Sequence, residues 1–221
     1  MPQDRRITFF HAPQTRSTST LVLLGELGAD YDLHLINLQA NEQREPAFLA
    51  VNPLGKVPAI RHGEALVTEQ GAIFLYLADL YAEAGLAPAL DDPLRGPYLR
   101  WMVLYGSSFE PAVVDHAFAR EPLPEASCPY GTYDSVIRTL AEQLERGGPY
   151  LLGERFTALD VLWASALNWT ISLGAVSRRP AFERYLEQVV SRPAFLEAGR
   201  RDAQWVVEHA HAVQPTENGV V

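Results

Sequence analysis

The densest run of chemistry-bearing residue types is Asn52-Pro53-Leu54-Gly55-Lys56-Val57-Pro58. Two prolines around a glycine make a turn, and the second proline stands where a strand should begin. Proline has no N–H to give to a central ladder, so that strand is an edge or the Val57–Pro58 bond is cis. A cis bond would turn the Val57 N–H and C=O outward, ready to pair with an extended, peptide-like ligand. The plainer alternative is an ordinary turn with an incidental lysine. Lys56 is the only lysine among 18 basic residues, although such an arginine-heavy ratio reflects nucleotide bias more than function. A second cluster, Thr68-Glu69-Gln70, opens a helix whose free N–H groups form a ready carboxylate site. A carboxylate at Glu69 could hold an ammonium beside it, and the pair suits an amino-acid head group carrying both charges. Equally, Thr68 is an N-cap and Glu69 a partner for the helix dipole. A third cluster, Thr157-Ala158-Leu159-Asp160 between Phe156 and Val161, is a capping box with a hydrophobic staple and is read as structural.

These residues must be positioned by something, and the first third of the chain alternates strand and helix patterns. Residues 7–11 are a β-branched and aromatic run, and 17–27 carry leucines at helical spacing closed by Gly28. Residues 31–36 alternate with period two, 43–51 form a short helix, 57–60 and 65–67 two short strands, and 69–81 a helix. The order is βαβ, then ββα. From Pro93 onward only helical periods appear: a long helix bent or broken at Pro111, one from Tyr133 to Leu144, an all-round apolar one over 159–171, and two more over 181–190 and 193–207. This predicts a small α/β domain over 1–82, a linker over 83–93, an all-α domain over 94–213 and a loose tail over 214–221.

Composition narrows the function. The 221 residues hold 18 Lys+Arg against 27 Asp+Glu, a net charge of −9, which argues against a general nucleic-acid binder. Hydrophobic residues at 48% are enough for a core, and charged residues at 20% are too few for disorder. The longest apolar stretch, 159–171, contains Asp160 and Asn168 and is shorter than the ~20 residues a spanning helix needs. No apolar signal region opens the chain, so a cytoplasmic location without membrane partners is expected. One cysteine, Cys128, excludes an internal disulfide and a thiolate metal cluster.

The order of elements, the Asn-Pro-Leu-Gly-Lys-Val-Pro turn, Glu69-Gln70 at a helix start and the Thr-x-x-Asp box together resemble a cytosolic glutathione S-transferase over about residues 5–205. The resemblance implies a thioredoxin-like N-terminal domain followed by an all-α domain. It implies that Val57 pairs with the cysteinyl backbone of glutathione ahead of a cis Pro58, with Gln43 and Lys56 near the glycyl carboxylate. Glu69 and Gln70 match the acid–serine pair that grips the γ-glutamyl group, Gln70 departing from the usual serine. It further implies a homodimer using the third and fourth helices, glutathione as co-substrate with no metal or redox cofactor, and a small electrophile as the other partner. Alternatives on the same fold are a glutathione-dependent disulfide reductase or peroxidase, and a non-catalytic binding or regulatory protein.

A thiol near pKa 8.5 needs about 1.4 kcal/mol of thiolate stabilisation for each unit of lowering. Hydroxyl donors at a helix start can supply it. The resemblance places the activating residue after the first strand, where Ser17 matches the serine-type position. Thr15 is the neighbour that could replace it, and Arg16 could add positive potential. Arg16 also stands where cysteine-type relatives carry their cysteine. Phe10, His11, Tyr105, Phe109 and His116 are the candidates for an apolar acceptor pocket between the domains, whereas Trp101, Trp163 and Trp169 are assigned to packing.

Overall fold

The computed structural model describes residues 5–121 and 123–213, with the side chains of 210–213 excepted; the tail expected over 214–221 lies outside the described residues. The contacts divide the chain into two compact units: the residues up to Ile73 together with those from Ala194 on, and Phe74–Pro193. This grouping differs from the division at 82 and 94 that the sequence suggests. It cuts the third helix after its first turn and gives the last helix to the sheet unit.

In the first unit, β1 (Ile7–His11), α1 (Ser17–Leu27) and β2 (Tyr31–Leu35) are followed by a 3-10 turn at Glu42–Arg44, α2 (Pro46–Leu49), β3 (Ala59–His62), β4 (Ala65–Val67) and the start of α3 (Gln70–Leu80). The sheet order is β2-β1-β3-β4. β1 runs parallel to β2, pairing Phe9 with Leu33, and antiparallel to β3, pairing Phe10 with Ala59. β3 is antiparallel to β4, pairing Ile60 with Val67. Gly28 closes α1 with a left-handed backbone, as its place after the last leucine requires. The β3 ladder starts at Ala59, so Val57 and Pro58 precede it, and the Val57–Pro58 bond is cis. Phe10, Ala12, Ile36, Phe48, Val51 and Ala59 form one core cluster, with Val57 packed against it. The last helix, α9 (Pro193–Val213), contributes Ala198, Asp202 and Trp205 as buried residues.

The second unit holds α4 (Arg95–Leu104), a π turn at Tyr105–Phe109, α5 (Glu110–Ala117), α6 (Tyr133–Glu145), α7 (Ala158–Ser172) and α8 (Pro180–Val190). The break expected at Pro111 falls just before it. Proline cannot donate to the carbonyl four residues back and its ring crowds that group, so the ladder loosens to π geometry over the preceding turn. α7 is buried along most of its length, as its all-round apolar pattern predicts. Trp163 packs edge-on against Trp101, Tyr105 and Phe109. At the start of α7 the Thr157 N–H donates to Asp160 Oδ2 at 2.8 Å, within the capping box that the sequence predicts. Among the described residues no helix is long and apolar enough to cross a membrane.

Candidate functional site

Strand register alone brings three of the sequence clusters to one end of the sheet. β1 ends at His11 beside the start of β3 at Ala59, and β4 ends at Val67 on the same side of β3. The segment 12–17 after β1, the Val57–Pro58 step before β3 and the Thr68–Gln70 step after β4 therefore emerge together.

The turn before β3 is held from within. Asn52 Oδ1 accepts from the Leu54 N–H at 3.1 Å, and Asn52 Nδ2 donates to the Lys56 carbonyl at 2.8 Å. Gly55 is left-handed, and a Cβ there would stand 2.7 Å from the Gln43 carbonyl, so glycine is required. Lys56 is thereby fixed at its backbone while its side chain is exposed. Gln43 sits across this contact; its Nε2 donates to Asn41 Oδ1 and its buried Oε1 has no partner.

After β4 the helix begins at Gln70, so Glu69 rather than Thr68 occupies the cap position. Glu69 is exposed and has φ 63°. A non-glycine residue in the left-handed region costs on the order of 1 kcal/mol, and such residues gather where a ligand is held. Its carbonyl accepts from the Ile73 N–H at 2.9 Å, which closes the first turn. Gln70 turns inward: its Nε2 donates to Ser19 Oγ and, at 3.4 Å, to the Arg16 carbonyl. The residue that departs from serine thus ties the start of α3 to the start of α1.

The segment after β1 holds the hydroxyls. Ser17 is fully buried. Its Oγ accepts from the Ala12 N–H at 3.1 Å and lies 3.0 Å from the Ala12 carbonyl, 2.7 Å from Thr15 Oγ1 and 2.7 Å from His11 Nδ1. Thr15 is partly exposed, and its Oγ1 donates to the Ala12 carbonyl at 2.7 Å. Arg16, also partly exposed, takes the cap position of α1 without a side-chain cap bond. The other ring nitrogen of His11 lies 2.8 Å from Asp202 Oδ1 on α9. Asp202 Oδ2 accepts from the Gln14 N–H at 3.0 Å and from Thr18 Oγ1 at 2.5 Å. Burial would raise the Asp202 carboxyl, but the bonds from His11, Thr18 and Gln14 outweigh it and hold it below the usual carboxylate range.

The sequence reading assigned no role to Asp202. Its signal was there: a carboxylate between Ala198 and Trp205, on what is otherwise the apolar face of α9. The apolar candidates separate. Phe10 belongs to the core cluster of the sheet unit and His11 is buried in the same unit. Tyr105 and Phe109 are buried against Trp163 in the helical unit. His116 stacks on Tyr133 at 3.8 Å and lines a cavity of about 580 Å³ within that unit, which Asp115, Cys128 and Tyr130 also line.

Three comparisons bear on this arrangement. The model of the glutathione S-transferase N-terminal domain matches residues 5–79. Glutathione S-transferase F13 of Arabidopsis thaliana is 30% identical over 80% of this chain and 86% of its own length. Disulfide-bond oxidoreductase YfcG of Escherichia coli (strain K12) is 28% identical over 85% of this chain and 92% of its own length. A sphingomonad glutathione S-transferase solved with glutathione superposes with TM-score 0.73 at 30% identity, over 89% of this chain and 98% of that one.

Proposed function

This chain belongs to the glutathione S-transferase family and is a glutathione transferase, and from that premise we propose how its sheet unit holds and activates the tripeptide. The observation that carries the reading is the convergence, by strand register, of the 12–17 segment, the Val57–Pro58 step and Glu69 at one end of the sheet. Glutathione has two carboxylates, an ammonium, two peptide groups and a thiol. Lys56, with Gln43, takes the glycyl carboxylate, and the Val57 backbone pairs with the cysteinyl residue. The first N–H groups of α3, Gln70 included, take the γ-glutamyl carboxylate, and Glu69 takes the ammonium.

For the thiol, Thr15 fits better than Ser17 as the group that touches sulfur. The Ser17 hydroxyl is buried and already engaged, whereas Thr15 is partly exposed at the same helix start. A hydroxyl that donates to sulfur binds thiolate more strongly than thiol, so it lowers the thiol pKa. Arg16 adds positive potential. The thiolate then attacks a small electrophile, with glutathione as co-substrate and no further cofactor. The working protein is a cytoplasmic homodimer engaged in detoxification, and exposed Leu99 and Val103 on α4 are the apolar surface such a dimer would cover.

Titrating glutathione while following thiolate absorbance tests the reading. Bound glutathione should ionise at lower pH than free glutathione, and Thr15→Ala should raise that pKa more than Ser19→Ala does. Bound glutathione that titrates like free glutathione would leave a binding protein. The disulfide chemistry named for the Escherichia coli relative is a second reading. Turnover of a glutathione mixed disulfide faster than conjugation of any aryl halide would favour it.

A further inference from the structure

His11 and Asp202 lie outside the groups that grip glutathione, yet they form the buried end of a continuous chain of polar atoms. From the partly exposed Thr15 Oγ1 the steps are 2.7 Å to Ser17 Oγ, 2.7 Å to His11 Nδ1 and, from Nε2, 2.8 Å to Asp202 Oδ1. The chemistry of the donors orders it. A carboxylate only accepts, so His11 presents Nε2–H to Asp202, and the Nδ1 of the neutral ring is then an acceptor facing Ser17. The Ala12 N–H donates to Ser17 Oγ at 3.1 Å, and the Ser17 hydroxyl lies nearer to Nδ1 than to the Ala12 carbonyl at 3.0 Å. The Ser17 proton therefore points at His11, and the Thr15 hydroxyl, 2.7 Å from both the Ala12 carbonyl and Ser17 Oγ, can turn its one proton from the carbonyl to Ser17.

We propose that this chain is a proton relay, in which the thiol proton of bound glutathione is received by His11 through Thr15 and Ser17 while Asp202 stabilises the imidazolium. The proposal rests on the reading that the sulfur sits at Thr15. As the S–H bond breaks, its proton passes to Thr15 Oγ1, the Thr15 proton to Ser17 Oγ and the Ser17 proton to His11 Nδ1. Each hydroxyl loses one proton and gains one. The products are a thiolate and an imidazolium, with no net loss of protons to solvent. The reversed chain then donates from Nδ1–H to Ser17, from Ser17 to Thr15 and from Thr15 to the thiolate, which is the arrangement that stabilises the sulfur anion. After attack the sulfur is a thioether and takes no proton, so the proton on His11 passes back along the same hydroxyls to the expelled leaving group or to water.

The surroundings of the ring suit a charge shared with Asp202 rather than with water. Phe9 stacks on it from β1 and Trp205 meets it edge-on from α9, each at 5.3 Å. Arg201, 4.7 Å above the Trp205 ring and bonded to the Tyr31 hydroxyl from β2, is the cation that opposes the imidazolium from this side. Thr18 and the Gln14 N–H hold the second oxygen of Asp202, so the carboxylate keeps its first oxygen on His11. His11 and Asp202 act through the hydroxyls and are positioning residues.

The experiment is made on the wild-type protein with glutathione at neutral pH in weak buffer. It reads thiolate absorbance, protons released to an indicator dye, and the nitrogen NMR signals of a protein labelled in its histidine rings. The expected result is thiolate formed with well under one proton released per thiolate, and one ring converting to imidazolium. Loss of that signal in His11→Asn assigns it. Asp202→Asn and Ser17→Ala should each bind glutathione with KM little changed and lower kcat by about 10²-fold, the usual scale of acid–base assistance. One proton released per thiolate with the His11 ring remaining neutral overturns the relay and leaves the transferase reading standing. No thiolate in the wild-type complex overturns both.

Discussion

Asp160 in the helical unit and Asp202 in the sheet unit are both buried carboxylates gathered into hydrogen-bond clusters, and their acidities move in opposite directions. Asp160 accepts from the Leu151 and Thr157 N–H groups, each at 2.8 Å, and from the Tyr185 hydroxyl at 3.0 Å. Even so, burial dominates and its pKa rises to about 6. Asp202 likewise has three partner residues, one of them an imidazole, and its carboxyl is held low. The more completely enclosed Asp160 is not repaid for its desolvation by its donors, whereas Asp202, which keeps some exposure, is repaid by the bonds from His11, Thr18 and Gln14 together. The first arrangement makes a rigid joint between a helix start and its neighbours. The second sets a carboxylate against an imidazole, the pairing that the proposed relay uses.

The sharpest test of that contrast removes the joint. Asp160→Ala leaves two N–H groups and a buried hydroxyl without an acceptor and should cost about 3–5 kcal/mol in urea unfolding. Glutathione affinity of the fraction still folded should be unchanged. A loss of affinity at full stability would make Asp160 part of the site and erase the distinction between the two aspartates.

The pH dependence of stability separates them next, and the signs are opposite. The native Asp160 carboxyl titrates at about 6 and the unfolded one near 3.8, so between those values the native state binds more protons. Its contribution to stability is therefore greatest below about pH 4 and declines by about 3 kcal/mol as the pH rises to about 6. Asp202 is depressed on folding, so it stabilises above the unfolded value and loses that contribution as the pH falls through its native pKa. Urea midpoints taken from about pH 4 to about pH 7 should show the decline in wild type and not in Asp160→Asn.

Lys56→Ala supplies the converse of Asp160→Ala, an effect on the ligand without one on the fold. Lys56 is exposed, and the turn is held by Asn52 and Gly55. Its loss should weaken glutathione binding by about 1.5–3 kcal/mol by calorimetry, the range for a charge-assisted bond, with the thermal midpoint unmoved. Added salt should weaken wild-type binding and leave the variant nearly unaffected. Smallest in size is Thr15→Ala, expected to raise the pKa of the bound thiol by about one unit, or about 1.4 kcal/mol. The same change from Ser17→Ala is expected only if the Asp202 cluster works through Ser17.

Much of this molecule was legible in the order of its residues, because the signals involved are local. Gly28 after a leucine-spaced run closes a helix, and the alternation over residues 31–35 becomes a strand. Asp160 three residues after Thr157 starts the helix whose apolar residues point in every direction. The turn at Asn52–Pro58 could be read because its prolines, glycine and asparagine act within a few residues of one another.

What lay beyond reach depended on partners far apart in the chain. Thr15 and Ser17 are two residues apart and equally good hydroxyl donors by type, and only packing buries one and leaves the other partly exposed. The break before Pro111 was visible, but its form as a π turn depends on how the helix accommodates the lost hydrogen bond. His11 and Asp202 are 191 positions apart. No periodicity or spacing links them, because the link is made when α9 lays its one acidic buried position against the end of β1. Local sequence determined the elements, the turn and the residue types that suit a zwitterionic peptide. The tertiary structure decided which hydroxyl is accessible and where a buried carboxylate finds a base, since burial and long-range pairing exist only once the chain has folded.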